Sequence, residues 1–372
     1  MEIITYDTII IGAGIAGATV THTLTKQNQK VLVLDKNGIA SGGSGAAGAF
    51  VSPKIGKGSP LQTLTNEAFT YAKAFYLATC PAYFHQTGVI RIPKDEVDAQ
   101  KFSEYEKFND TTYENYSKEK LQSLGIDVSF DSFYFPDAGD CDASQICRCL
   151  LKDIEVMNTE VLHLQREKEA WKLLTPHASL LTKNVVLATG YESNLADLRY
   201  MGIRGIWGTR GDFSSKLDLH VSMHQSMSVG ANIDGIIKLG ATHEKMVKDV
   251  VPCNAEQALS LKEKASGLID TSDLELVENY CGMRAGSKDY FPLVGKVIDV
   301  PYMLETYPAI VRGAKPVLEY VDNLYVLNGL GGRGFVFAPL MAKLLAEHIV
   351  EGKEIDKRVN PDRLFLKWCR KL

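Results

Sequence analysis

The sequence predicts a mixed α/β fold, in which a parallel sheet flanked by helices is interleaved with an α+β domain carrying a mostly antiparallel sheet. Three observations predict it. At the amino end an apolar strand runs into a glycine turn and a helix, and a second apolar strand follows and stops on an acid. A later apolar run, Val185-Val186-Leu187-Ala188-Thr189-Gly190, ends in small residues as a returning strand should. Near the carboxyl end, Leu324 to Asn328 leads into a glycine-rich loop and an apolar helix from Phe335 to Val350. A chain of 372 residues suggests two interleaved or consecutive domains.

The first strand, Asp7 to Ile11, is followed by Gly12-Ala13-Gly14-Ile15-Ala16-Gly17. In this pattern Gly12 permits a tight turn, Gly14 lets a pyrophosphate approach the backbone, and Gly17 lets the helix pack on the strand. The helix opening at Ile15 and Ala16 offers free N–H groups and a positive dipole end to phosphates. The second strand, Val31 to Leu34, closes on Asp35, whose carboxylate can accept the hydroxyls of an adenosine ribose. Strand, glycine turn, helix, strand and acid in this order mark a Rossmann-like dinucleotide site.

The next segment separates a flavin from a nicotinamide. A nicotinamide enzyme would continue with strand-helix repeats. Instead, after Lys36, the run Ala40 to Pro53 is dominated by tiny residues, among them Ser41, Gly42, Ser44, Gly45, Ala47, Gly48 and Ala49. Such residues cannot build a core, but they let backbone pass close to a large flat ligand. A flexible linker would use the same residue types. A linker would seldom be followed at once by helical spacing, as here in Leu64, Ala68, Tyr71, Ala72 and Phe75. The late loop Gly329, Gly331, Gly332, Arg333, Gly334 opens the helix at Phe335, with Pro339 tolerable near its first turn. The positive end of that helix suits the negative charge of a reduced flavin.

Composition is that of an ordinary globular enzyme, with 45% hydrophobic and 23% charged residues. No apolar run approaches the ~20 residues a membrane span needs. The amino end lacks a basic segment and a cleavage site, so no signal peptide is expected. Seven scattered cysteines, an odd number, suit a reducing cytoplasm, and Cys141, Cys147 and Cys149 lack zinc spacing. With a net charge of −4, a nucleic-acid partner would need a local basic patch.

Taken in order, Gly12 to Gly17, Ala40 to Pro53, Val185 to Gly190, Cys281 to Gly295 and Gly329 to Leu340 resemble the superfamily of FAD-dependent D-amino acid, glycine and sarcosine oxidases, over essentially the whole chain. Within it, Ala40 to Tyr76, Phe133 to Leu151 and Asn360 to Lys371 are similar to the C-terminal oxidase half of the bifunctional tRNA 5-methylaminomethyl-2-thiouridine biosynthesis family. The resemblance implies an FAD domain of glutathione-reductase type over 1–55, 135–205 and 280–350, and a substrate domain over 56–134 and 206–279. Residues 351–372 form a basic tail. It implies noncovalent FAD, held by Gly12, Gly14, Ile15, Ala16, Gly17, Asp35, Lys36, Ser41, Gly42, Ser44, Gly45, Ala47, Gly48, Ala49, Val161, Ala188, Thr189, Gly190, Arg284, Gly329, Gly331, Gly332, Arg333, Gly334 and Phe335.

The chemistry implied is hydride removal from a carbon bearing an amine, with the electrons taken by the cofactor. Substrate-binding charges then matter more than a protein acid or base. Arg284 falls where the resembled glycine oxidases hold the substrate carboxylate, and a guanidinium fork suits that group. A domain-bridging salt bridge is its other reading. Lys238 falls where sarcosine oxidases set a lysine against the flavin to aid reaction with dioxygen. A solvated strand-edge lysine is as good a reading. His243, followed by Glu244, lines the cavity or is a structural histidine. Arg333 contacts a ligand carboxylate or tRNA, or leaves contact to its loop's amides. Cys281, offset by one position from the covalent attachment site of some sarcosine oxidases, reads as a buried inert thiol.

The implied substrate is 5-carboxymethylaminomethyluridine at the tRNA wobble position. Oxidation of its glycine-like arm and hydrolysis of the imine would release glyoxylate and leave 5-aminomethyluridine. The rival substrates are glycine, sarcosine or a D-amino acid, and a third reading is a noncatalytic FAD-bearing subunit. No methyltransferase half precedes the first strand, so methylation is expected from a separate polypeptide. Lys54, Lys57, Lys357, Arg358, Arg363, Lys367, Arg370 and Lys371, with Trp368 among them, suit phosphate contact and base stacking. A solvated amphipathic helix would look the same.

Overall fold

The computed structural model describes residues 6–192, 194–245, 247 and 251–372. Five parallel strands form the heart of the first sheet, in the order Glu155–Asn158, Val31–Asp35, Tyr6–Ile11, Ser179–Leu187 and Tyr320–Asn328. Ile10 pairs with Val33 on one side and Val186 on the other. Side chains alternate across the pleat, so one strand feeds two cores. Ile10, Val33, Val186 and Leu327 join the core under the helices Ile15–Lys26, Pro60–Thr79 and Gly334–Glu351. Ile9, Leu32, Val185 and Val326 join Tyr200, Met303 and Phe365 on the opposite face.

The second sheet runs Glu275–Gly286, Arg204–Ser214, Ile236–Gly240, Ser228–Val229, Ser222–His224, Val89–Arg91, Ser132–Phe135 and Glu114–Tyr116. It is antiparallel except where Ser222–His224 lies parallel to Val89–Arg91. The strand Glu275–Gly286 runs unbroken through position 280, where the sequence places a domain boundary. The helix Pro60–Thr79, inside the segment assigned to the substrate domain, packs on the nucleotide-domain core.

Two local details explain how this core closes. Ser59 caps the helix Pro60–Thr79 by accepting from the Gln62 N–H, with Pro60 in the first turn. Pro339 lies inside the helix Gly334–Glu351 and cannot donate to the Phe335 carbonyl one turn back. The fully buried Tyr76 hydroxyl donates to that carbonyl at 2.9 Å instead.

The carboxyl end divides the basic residues that the sequence reads as suited either to nucleic-acid contact or to an amphipathic helix. Helix Asp362–Cys369 docks under the first sheet through Phe365 and Cys369, both fully buried. Trp368 stacks on Phe365 and carries the Arg199 guanidinium over its ring. Arg358 is paired with Glu67 and Asp356, and Arg363 with Asp289. An amphipathic helix buries its apolar face, and these charges serve docking. Lys357, Lys367, Arg370 and Lys371 remain exposed.

The cysteines also depart from expectation. Cys80 is bonded to Cys149 and Cys253 to Cys281, while Cys141, Cys147 and Cys369 are free and buried. Cys281 is therefore a half-cystine and not a buried thiol. Its partner lies 28 residues away in sequence but 5.5 Å away between Cα atoms, well within bridging distance. Pairing of four cysteines removes the compositional argument for a reducing compartment. Among the described residues no helix is long and apolar enough to cross a membrane, and no cluster of ligating side chains suits a metal.

Candidate functional site

A cavity of about 920 Å³ opens between the two sheets. One wall is built by the first βαβ unit. Gly12, at φ +112°, holds a conformation that favours glycine, and an added Cβ would stand 2.3 Å from the Ala188 carbonyl oxygen. Asp35 is fixed by the Ala13 N–H at 2.8 Å and by the Asn37 and Gly38 N–H groups at 2.9 Å. The Ile15 N–H donates to Ser44 Oγ at 2.9 Å, which ties the tiny-residue segment to the start of the helix. Lys36 lies at the rim, paired with Glu192.

Most of the sequence-derived cofactor positions line this cavity: Gly12, Gly14, Ile15, Ala16, Asp35, Lys36, Ser41, Gly42, Ser44, Ala47, Gly48, Ala49, Val161, Ala188, Thr189, Gly190, Arg284, Gly331, Gly332, Arg333, Gly334 and Phe335. Gly17, Gly45 and Gly329 do not, because their missing side chains admit protein. A Cβ on Gly17 would stand 1.8 Å from the Gly12 oxygen, one on Gly45 2.2 Å from the Ala40 oxygen, and one on Gly329 2.9 Å from Leu293. Gly42 and Gly190 present open space where a Cβ would stand. The Thr189 Oγ1 is buried without a hydrogen-bond partner. A flat ligand with polar edges fits a cradle with missing Cβ atoms and an orphaned hydroxyl.

The second sheet covers the other side. Arg284, on the strand Glu275–Gly286, is half-buried and donates through Nη1 to the Thr242 carbonyl at 3.1 Å. Burial lowers its pKa, and no carboxylate pairs with it among the described residues. His243 also lines the cavity; burial, and then the field of Arg284, lowers its pKa. The Trp207 and Glu244 backbones exchange two hydrogen bonds, which anchors the loop carrying His243.

Lys238 is elsewhere, which corrects the expectation that it faces a flavin. Ile237 and Leu239 point into the core of the second sheet, so the alternation turns Lys238 to the opposite side. There its ammonium bonds Asp140 Oδ1 at 3.0 Å and the Cys141 carbonyl at 3.1 Å. It cross-links the second sheet to the short strand Gly139–Cys141, and is not a solvated edge lysine either. Arg333 reaches the Ser52 carbonyl through Nη1 at 3.3 Å.

Sequence reasoning missed Arg91 and His224, which line the same cavity. They are in register on adjacent parallel strands. An arginine inside the apolar run Val89-Ile90-Arg91-Ile92 was the available signal.

The match to known proteins follows this geometry. Residues 7–348 match the family model described as DAO, FAD dependent oxidoreductase. The chain belongs to this family. It is an FAD-dependent oxidoreductase. It is 27% identical, over 96% of its length, to the tRNA 5-methylaminomethyl-2-thiouridine biosynthesis bifunctional protein MnmC of Stutzerimonas stutzeri. It is 25% identical, over 98% of its length, to the protein of the same name from Shewanella amazonensis. It spans 59% and 60% of these two relatives. In fold it is similar to glycine oxidase from Bacillus cereus, with a TM-score of 0.77 at 20% identity, covering 94% of this chain and 96% of that one.

Proposed function

We propose that this oxidoreductase acts on the carboxymethylaminomethyl arm of a tRNA wobble uridine. When bound, FAD supplies the two-electron acceptor for hydride from the carbon beside the amine. The methylene and nitrogen of the arm lose two electrons and two protons in all, giving an imine. Water then cleaves the imine to glyoxylate and 5-aminomethyluridine. In this reading Arg284 holds the carboxylate of the arm through charge-assisted hydrogen bonds, and His243, kept neutral by burial, borders the substrate.

One observation carries the choice of a nucleic-acid substrate. Arg204, Lys288, Lys367 and Lys371 are all exposed, and the ammonium of Lys371 beside Lys288 holds the latter below the usual lysine range. Gly205, next to Arg204, lies under the ring of Tyr191, a partly exposed aromatic on the cavity lining. Cations that form no ion pair among the described residues, with an exposed ring close to Arg204, suit phosphates and a stacked base. Likeness in sequence to MnmC supports the same reading, while likeness in fold to glycine oxidase supports oxidation of a small amine or amino acid as the second reading.

The deciding experiment incubates the purified protein with tRNA carrying carboxymethylaminomethyluridine and analyses the nucleosides by mass spectrometry. Conversion to aminomethyluridine with release of glyoxylate is expected. An unchanged nucleoside beside rapid turnover of free glycine or sarcosine would overturn the tRNA reading and favour the second.

A further inference from the structure

Part of the cavity lining gathers positive charge that forms no ion pair among the described residues. Arg91 and His224 stand side by side on neighbouring strands, and Arg333 reaches in from the glycine loop ahead of the helix Gly334–Glu351. A short chain of contacts links Arg333 and His224. Arg333 donates to the Ser52 carbonyl, Ser52 Oγ lies 3.5 Å from His224 Nε2, and His224 Nδ1 lies 2.6 Å from Ser228 Oγ. Phe50 packs edge-on against the imidazole at 4.6 Å between ring centres.

Burial lowers Arg91 and Arg333 to about 10, and Arg91 adds to the effect on Arg333. Burial also lowers Lys54, with the fields of Arg333 and Arg91 adding to the effect. None of the three forms an ion pair among the described residues. Asp98, on the helix Glu96–Tyr105, is the acid whose field reaches Arg91, yet it makes no salt bridge there. Cations gathered in a cavity without a counter-charge repel one another, and an incoming anion relieves that repulsion.

We infer that Arg91 and Arg333 form a second anion-binding subsite, which takes an acidic group of the substrate other than the carboxylate assigned to Arg284. The two positions flank one loop: a Cβ on Gly332 would stand 4.0 Å from the Arg284 Cδ, and Arg333 is the next residue. The inference rests on the proposed oxidation of a carboxylate-bearing amine and narrows its substrate class to amines carrying two acidic groups. The second group is an oxyanion: the phosphate of a modified nucleotide, or a second carboxylate on a small amine.

The test is calorimetric titration of the holoenzyme with two pairs of unreactive probes. Thiodiacetate against (methylthio)acetate reports a second carboxylate, and uridine 5′-monophosphate against uridine reports a phosphate. In the native protein the doubly acidic or phosphorylated member of at least one pair binds about ten-fold tighter or more, as a charged hydrogen bond supplies. Arg91→Met removes that preference while (methylthio)acetate binds as before, and Arg91→Lys restores part of it. Arg284→Met weakens both thioethers and keeps the difference between them. The absence of a preference in both pairs, or its survival in both Arg91→Met and Arg333→Met with melting unchanged, overturns the subsite. Failure of the tRNA reading alone leaves the thioether result standing, so the two outcomes are distinguishable.

Discussion

Arg284 stands half-buried with a backbone carbonyl as its hydrogen-bond partner, so in the proposed function a substrate carboxylate would meet a donor already desolvated by folding. Truncating it to alanine is expected to weaken binding of a carboxylate substrate by about 1.5–3 kcal/mol, read as a rise in KM, with the flavin content unchanged. Unaltered substrate dependence in that variant removes Arg284 from the site. Lys238 makes the opposite prediction. Asp140 is 1% exposed, and removing its partner strands a buried carboxylate. Lys238→Met should lower the unfolding free energy by about 3–5 kcal/mol in a denaturant titration. The rate of flavin reoxidation by dioxygen should hold, since the ammonium serves Asp140. A stable variant with slow reoxidation would return Lys238 to the chemistry.

At the scale of elements, the strand pair Val89–Arg91 and Ser222–His224 carries a pH signature. Burial, and then Arg91 and Arg333, hold His224 well below the usual imidazole range. The folded protein keeps this ring neutral, whereas the unfolded chain takes up its proton near pH ~6.5. Stability from this group is therefore full above about pH 6.5 and is lost as the pH falls toward the folded-state value. Comparing melting at pH 7 and pH 5 tests this: His224→Gln should lose less stability on acidification than the native protein. An equal loss would place the sensitivity elsewhere. The same element was hard to read in sequence. A three-residue strand such as Val89–Arg91 carries too few positions for alternation to identify it, and its parallel partner lies more than a hundred residues away. The strand Tyr6–Ile11, by contrast, and the glycine turn and helix after it form a local sequence of steps, each dictated by residues within a few positions.

For the whole molecule, the exposed patch Arg204, Lys288, Lys367 and Lys371 joins residues from three separate parts of the chain, although the protein as a whole is acidic. Lys288→Glu, Lys367→Glu and Lys371→Glu in one variant should weaken tRNA binding and reduce the slope of log affinity against log salt by roughly one per lysine removed. Turnover of a small amine should be preserved, because none of the three lines the cavity. An unchanged salt slope would leave the patch without a role in tRNA binding. Net charge could not reveal this patch, and the basic run at the end of the sequence overstated it: docking of the helix Asp362–Cys369 takes Arg363 inward to Asp289 and leaves Lys367 outside.

The sequence by itself determined the dinucleotide cradle. Gly12, Gly14, Gly17 and Asp35 act through backbone geometry and close approach, and these are properties of residue type at fixed spacing. Only the tertiary structure decided which charges meet. Arg91, His224 and Arg333 converge because two adjacent strands of one sheet and a late loop close on one cavity, and Lys238 is drawn away because Asp140 offers a buried counter-charge. Local conformation depends on neighbours in sequence, whereas electrostatic partnership depends on neighbours in space, which the packing of two sheets chooses.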